Sequence, residues 1–144
     1  MFKKHDYVSL ELAKKLKKAG YKDFTDARYR KEDEESDYEL DFAPYFNPKG
    51  YAAPTLYEAM IWLRKKKIIV LTVDESSLYN TQLAVFKCDA NANIEGVIGG
   101  RIQAAHFEAA LAIAIERAVD YLIEQRNNRI NSLTKRKVKL NKVK

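Results

Sequence analysis

The chain has 144 residues, 47% hydrophobic and 32% charged, which is the composition of one globular domain. With 3 Pro and 5 Gly it is not collagen-like or linker-dominated, and a single cysteine, Cys88, excludes an internal disulfide scaffold and fits a reducing compartment. No apolar run approaches the ~18 residues of a bilayer span, and Met1 to Asp6 lack the apolar core of a secretion signal, so neither is expected.

The formal net charge is +6, and it is unevenly placed. Glu124 is the last acid. Beyond it stand 8 cations: Arg126, Arg129, Lys135, Arg136, Lys137, Lys139, Lys142 and Lys144. They exceed the whole net charge and leave residues 1–125 at about −2 by the same count. The pattern divides the chain into a domain over 1–125 and a basic tail over 126–144. Such a tail is an electrostatic arm for nucleic acid or an acidic partner, or else a solubilising terminus. The acids concentrate at Glu32, Asp33, Glu34, Glu35, Asp37, Glu39 and Asp41. No turn glycine or ligand alternation of a calcium loop accompanies them, so a solvated turn and strand face is the plainer account.

Ser9 can cap a helix from about Leu10 to Ala19, with Glu11 in its first turn and Gly20 at its end. Leu12, Ala13, Leu16 and Ala19 form its apolar stripe, and Lys14, Lys15, Lys17 and Lys18 its wet face. Asp37 to Phe42 alternates polar and apolar, as a half-buried strand does. Ala27 to Arg30 alternates too. A hairpin between them would set Arg28 and Arg30 across from the acids.

Residues 43–54 read as loop around Asn47-Pro48-Lys49-Gly50, flanked by Tyr45, Phe46 and Tyr51. Thr55 and Glu58 have the spacing of a capping box, opening a helix to about Lys66. Leu56, Ala59, Met60 and Leu63 share one face, and Tyr57, Ile61 and Trp62 widen it. These three are the candidate partner-binding residues, because a helix apolar this far round is deeply buried or meets a partner.

Ile68 to Val73 is β-branched and nearly continuous, the pattern of an interior strand covered on both faces. A turn at 74–78 and a strand from Tyr79 to Cys88 complete an antiparallel hairpin. Cys88 reads as a buried, inert thiol. Asp89 to Gln103 holds Gly96, Gly99 and Gly100 without any phosphate-binding glycine motif, so a flexible connection or short hairpin is expected. A last helix runs from about Ala105 to Gln125, burying Phe107, Ala110, Leu111, Ala114, Ala118, Tyr121 and Leu122, with Glu108, Glu116, Asp120 and Glu124 on its solvated face. In the tail, Lys137 to Leu140 alternates, as an edge strand or a segment that folds on a partner would.

The catalytic inventory is thin. Two histidines, His5 and His106, and one cysteine make no zinc site, and no nucleophile elbow is present. No catalytic residue, cofactor, metal or small-molecule substrate is assigned.

Three stretches, Val8 to Tyr21, Tyr51 to Arg64 and Phe107 to Leu111, together resemble a family of small uncharacterised proteins encoded by phages and prophages of Bacteroidetes. The resemblance covers about residues 8–125. It implies a compact α+β domain with no established activity or cofactor. The 89–103 connection is longer than the family pattern, and the basic tail is an addition to it.

The expected fold is therefore α+β: an antiparallel sheet of about four strands, two to three helices packed on it, and a basic C-terminal tail. The expected function is that of a non-enzymatic phage accessory or virion-associated protein acting on a protein partner, itself phage-encoded, in the host cytoplasm or the virion. The alternative is an accessory protein binding DNA or RNA through the tail. No membrane partner is expected.

Overall fold

The computed structural model describes residues 6–42, 49–77 and 80–142. Tyr45, Phe46, the Asn47-Pro48 turn, His5 and Lys144 lie outside these residues. The fold is α+β, with three helices and two antiparallel sheets of three and four strands.

Helix α1 spans Leu10–Lys18. Ser9 Oγ accepts from the Leu12 amide at 3.2 Å, satisfying a donor of the open first turn. Gly20 adopts φ +96°, and the Tyr21 amide returns to the Leu16 carbonyl at 2.9 Å, closing the helix through the left-handed conformation that glycine takes without strain. Leu12, Ala13 and Leu16 are buried.

The first sheet joins β1 (Arg28–Arg30), β2 (Glu39–Asp41) and β3 (Tyr51–Ala52) in the order β2-β1-β3. The expected hairpin is present, with Tyr29 opposite Leu40 and Arg28 opposite Asp41. Arg30 Nη1 meets Asp41 Oδ2 diagonally across it at 3.1 Å. Arg28 turns elsewhere and donates to the carbonyls of Lys49 and Gly50, each at 3.4 Å. Strand β3 falls in the expected loop. Its two residues pair with β1, and Tyr51 sits opposite Tyr29.

Helix α2 spans Leu56–Lys65 behind a complete capping box. The Glu58 amide donates to Thr55 Oγ1 at 3.1 Å, and the Thr55 amide donates to Glu58 Oε1 at 2.9 Å. Leu56, Ala59, Trp62 and Leu63 are buried.

The second sheet contains β4 (Ile68–Ser77), β5 (Asn80–Cys88), β6 (Ile94–Val97) and β7 (Ile102–Ala104), all pairing antiparallel with β5. Strand β4 takes one edge of β5. On the other edge β6 pairs with residues 86–88 and β7 with residues 81–83, and the Ile98 amide bridges to the Val85 carbonyl at 2.7 Å. Residues 94–104 are thus one interrupted strand, not a free connection. The interior strand is β5. The expected interior strand, β4, is an edge strand with one open face, where Leu71 and Val73 are each 41% exposed.

Helix α3 spans Phe107–Lys142. It continues well past Gln125, and the strand pattern at Lys137 to Leu140 is overridden by helix. The physical reason is that residues 126–142 contain no Pro or Gly to stop it, and their cations complement the negative end of its dipole. Its buried residues are Ala110, Leu111, Ala114, Ile115, Ala118 and Val119. The alanines four apart let neighbouring backbone approach closely. Phe107, expected in this stripe, is 42% exposed, and Tyr121 and Leu122 are half-buried.

The core lies between the inner face of the second sheet (Ile68, Val70, Leu83, Val85, Ile98 and Ile102) and α2 with α3. Helix α1 packs between α3 and β3, tying the small sheet to the body. Lys15 of α1 bridges two carboxylates of α3, Glu116 at 2.7 Å and Asp120 at 3.1 Å.

Candidate nucleic-acid interface

Arg126 marks where α3 leaves the body. Its Nη1 donates to the Lys18 carbonyl at the end of α1, 2.9 Å away. Before it, Leu122 and Ile123 still touch the core. After it, every residue from Asn127 to Arg136 is exposed. The helix itself is unbroken to Lys142, so residues 126–142 form an arm about 25 Å long at 1.5 Å per residue.

The arm carries Arg126, Arg129, Lys135, Arg136, Lys137, Lys139 and Lys142 and no acid. Among the described side chains, Arg126, Arg129, Lys135 and Arg136 are in no ion pair. Arg129, Lys135 and Arg136 are exposed and lie within about 130° of each other around the helix at 100° per residue. Ile130 and Leu133, 52% and 53% exposed, lie about 60° apart, with Leu133 beside Arg129 and Arg136 on the same side of the helix. The remaining residues from 127 to 134, Asn127, Asn128, Asn131, Ser132 and Thr134, are all short and polar. The tail cations are thereby gathered on one rod, a placement the sequence reading did not foresee.

The candidate partner residues on α2 do not form a surface. Trp62 is 3% exposed, tilted against the Tyr21 ring at 5.3 Å, with the Lys66 ammonium 5.4 Å over it. It belongs to the core and is corrected to a packing residue. Ile61 is half-buried, and of the three only Tyr57, at 64%, faces solvent.

A different apolar surface is present instead. Residues opposite one another in an antiparallel pair share a face. The pairs Ile69–Phe86, Leu71–Ala84, Phe86–Val97 and Cys88–Ile94 therefore lie on the side of the second sheet away from the helices. Val97 is 57% and Ile94 53% exposed. A sheet face open to water ordinarily carries polar residues. Here the polar residues gather at one end, where Arg101 donates to Gln82 at 3.3 Å and Gln82 faces Gln103. The signal was in the alternation of β4 and β5, but a continuous apolar run reads equally as a strand covered on both sides. Cys88 is half-buried on this face.

The acidic stretch organises itself locally. Asp33 Oδ1 accepts from Ser36 Oγ at 2.8 Å and from the amides of Glu35 and Ser36 at 3.0 and 2.8 Å, and these bonds hold its carboxyl below the usual range. Asp33 thus builds a turn. Lys14 and Lys31 approach the Tyr38 ring, and Lys17 the Tyr51 ring, at 4.7–5.5 Å. Among the described residues no three His, Cys, Asp or Glu gather as a metal site. A shallow groove of about 640 Å3 runs between the starts of α1, α2 and α3, with Tyr7, Leu12 and Leu56 on its floor and His106, Glu108 and Glu116 on its rim.

Among the described residues no helix is long and apolar enough to cross a membrane. Comparison with protein-family models, curated proteins and solved structures finds no match to this chain.

Proposed function

We propose that this chain is an accessory protein that binds nucleic acid through the helical arm of α3. The observation that carries this reading is a helix that is exposed from Asn127 to Arg136 and that carries seven cations and no acid between Arg126 and Lys142. A helix is 10–12 Å across and the major groove of a duplex about 12 Å wide, so the rod fits the groove. Cations set along it neutralise phosphates and release counterions. A membrane surface is the poorer match, because it calls for a broad apolar helix face and the described arm offers Ile130 and Leu133.

Fluorescence anisotropy of labelled DNA and RNA duplexes across a salt series tests it. The logarithm of affinity falls with the logarithm of salt at a slope of about −0.9 per phosphate neutralised. The triple variant Arg129→Gln, Lys135→Gln, Arg136→Gln flattens that slope by up to about 3 and weakens binding to all sequences alike. Equal affinity and slope in the variant and the parent chain would remove the reading.

A second reading has its own observation. The open apolar face around Leu71, Phe86 and Val97 is of the kind that a protein partner covers. In this reading the chain is a non-enzymatic accessory protein that acts by binding another protein. The resemblance of residues 8–21, 51–64 and 107–111 to the phage and prophage family is the ground for placing it in a phage, with the host cytoplasm or the virion as its site of action.

A further inference from the structure

The geometry points to a second copy of this chain as the partner of the β4 edge, paired antiparallel so that two second sheets become one. This deepens the protein-binding reading by naming the partner, and it is independent of the arm. Strand β4 ends the sheet, and among the described residues no strand pairs with its outer edge. Natural edge strands are ordinarily guarded by Pro, by a charge or by a bulge. The segment Ile68-Ile69-Val70-Leu71-Thr72 has none of these. Its pairing with β5 is regular, and the register shifts begin only after Thr72. The Cys88 amide bonds the Lys67 carbonyl, so in this register Ile69 and Leu71 turn their backbone groups to β5, while Ile68, Val70 and Thr72 turn theirs to the outer edge, where no described strand meets them.

The charges flanking that segment select the occupant and its direction. Arg64, Lys65, Lys66 and Lys67 precede it, and Asp74 and Glu75 follow it. A two-fold axis at Val70 sets Ile68 opposite Thr72 of the second copy. It brings the Lys66–Lys67 end of each strand to the Asp74–Glu75 end of the other. A parallel arrangement would set cations on cations and acids on acids. The strand is thus complementary to itself in one direction only, which is the requirement for a closed two-fold interface. Main-chain bonds from Ile68, Val70 and Thr72 of each copy, with opposite charges at both ends, describe a weak and salt-sensitive dimer. Pairing also joins the two open faces across the seam, with Ile69 and Leu71 of each copy beside it.

Sedimentation velocity on the full chain from about 1 µM to about 1 mM reads the association. Two variants make the test specific. Lys66→Glu with Lys67→Glu sets acids directly beside both ends of the Ile68–Thr72 segment, and Asp74→Lys with Glu75→Lys sets cations there. Lys66 and Lys67 are exposed, and far-ultraviolet circular dichroism with a urea melt checks that each variant keeps its fold. The parent chain should dimerise, more weakly as salt rises. Each variant alone should be monomeric, and an equimolar mixture of the two should pair at least ten-fold more tightly than either by itself. A parent chain that stays monomeric throughout overturns the proposal, as does a mixture no tighter than its components, which would also identify a dimer packed face to face. If the parent chain is monomeric yet a purified partner protects Leu71 and Val97 from solvent, the protein-binding reading survives and self-pairing fails. An extended strand from another protein on β4 gives the same monomeric result.

Discussion

At Thr55 two bonds made by neighbours three apart fix the start of α2. Thr55 is 3% exposed, so its hydroxyl and the Glu58 amide have no water to fall back on. Thr55→Ala should cost about 1 kcal/mol. Urea unfolding followed by Trp62 fluorescence checks this, with an unchanged slope showing that only the folded state is affected. Glycines give a sharper contrast. At Gly50, φ is +93°, and an added Cβ would lie 2.1 Å from the Tyr29 carbonyl oxygen, inside the β1–β3 pair. Nothing lies within 4 Å of the position at Gly100. Gly50→Ala should therefore destabilise by more than about 1 kcal/mol, while Gly100→Ala should stay within about 0.5 kcal/mol of the parent chain. Equal melting temperatures for the two variants would contradict the close approach at β3.

Among the elements, α3 divides into a packed half and an exposed half. Among its described side chains, the buried ones all precede Leu122, and the last tie to the body is Arg126. A chain ending at Arg126 should keep the near-ultraviolet circular dichroism and Trp62 emission of the full chain, and melt within a few degrees of it. Loss of the Trp62 signal would mean that the arm contributes to the core. The helix starts were legible because capping is local: Ser9 with Leu12, and Thr55 with Glu58, act within one turn. Strand neighbours were not, since pairing joins distant residues. Ile68 to Thr72 carries the apolar run of a doubly covered strand, and only the placement of β6 and β7 on the far edge of β5 makes β4 an edge. Strand β3 is two residues long, too short for any alternation. The end of α3 was misplaced because its apolar stripe stops near Ile123, whereas a helix stops only where something ends it. The cations of the candidate interface were legible as a group, and their alignment on one rod was not. Trp62 shows the limit at the opposite extreme, because an apolar helix face reads the same whether a partner or the chain's own Tyr21 covers it.

For the whole molecule, titration sets the range of pH over which these parts hold together. Asp33 is held below the usual carboxylate range by the Ser36 hydroxyl and the turn amides, and Asp89 by the amides of Asn93 and Asn91 at 2.9 and 2.8 Å. A depressed folded value contributes stability above the unfolded value of about 4, and that contribution is lost as pH falls through the folded value. The alkaline limb has the opposite sign. Lys15 is raised by its hydrogen bonds to Glu116 and Asp120, which favour the charged ammonium, and burial raises the Tyr21 and Tyr29 phenols. Each of these contributes below its unfolded value of about 10 and ceases to as pH rises past it. Stability should therefore be flat from about pH 5 to 9 and fall on both sides. The acid limb should begin in the turns: amide protection at Glu35, Ser36, Asn91 and Asn93 should weaken below about pH 4 before Trp62 reports global unfolding. Asp33→Asn keeps an acceptor at the turn and removes the titration, so it should make the acid limb shallower and leave the alkaline limb in place. Lys15→Met should do the reverse, since it removes the ammonium that ties α1 to α3. Melting temperatures of the three proteins measured across that range decide it. An acid limb unchanged by Asp33→Asn would show that the turn bonds do not couple to folding.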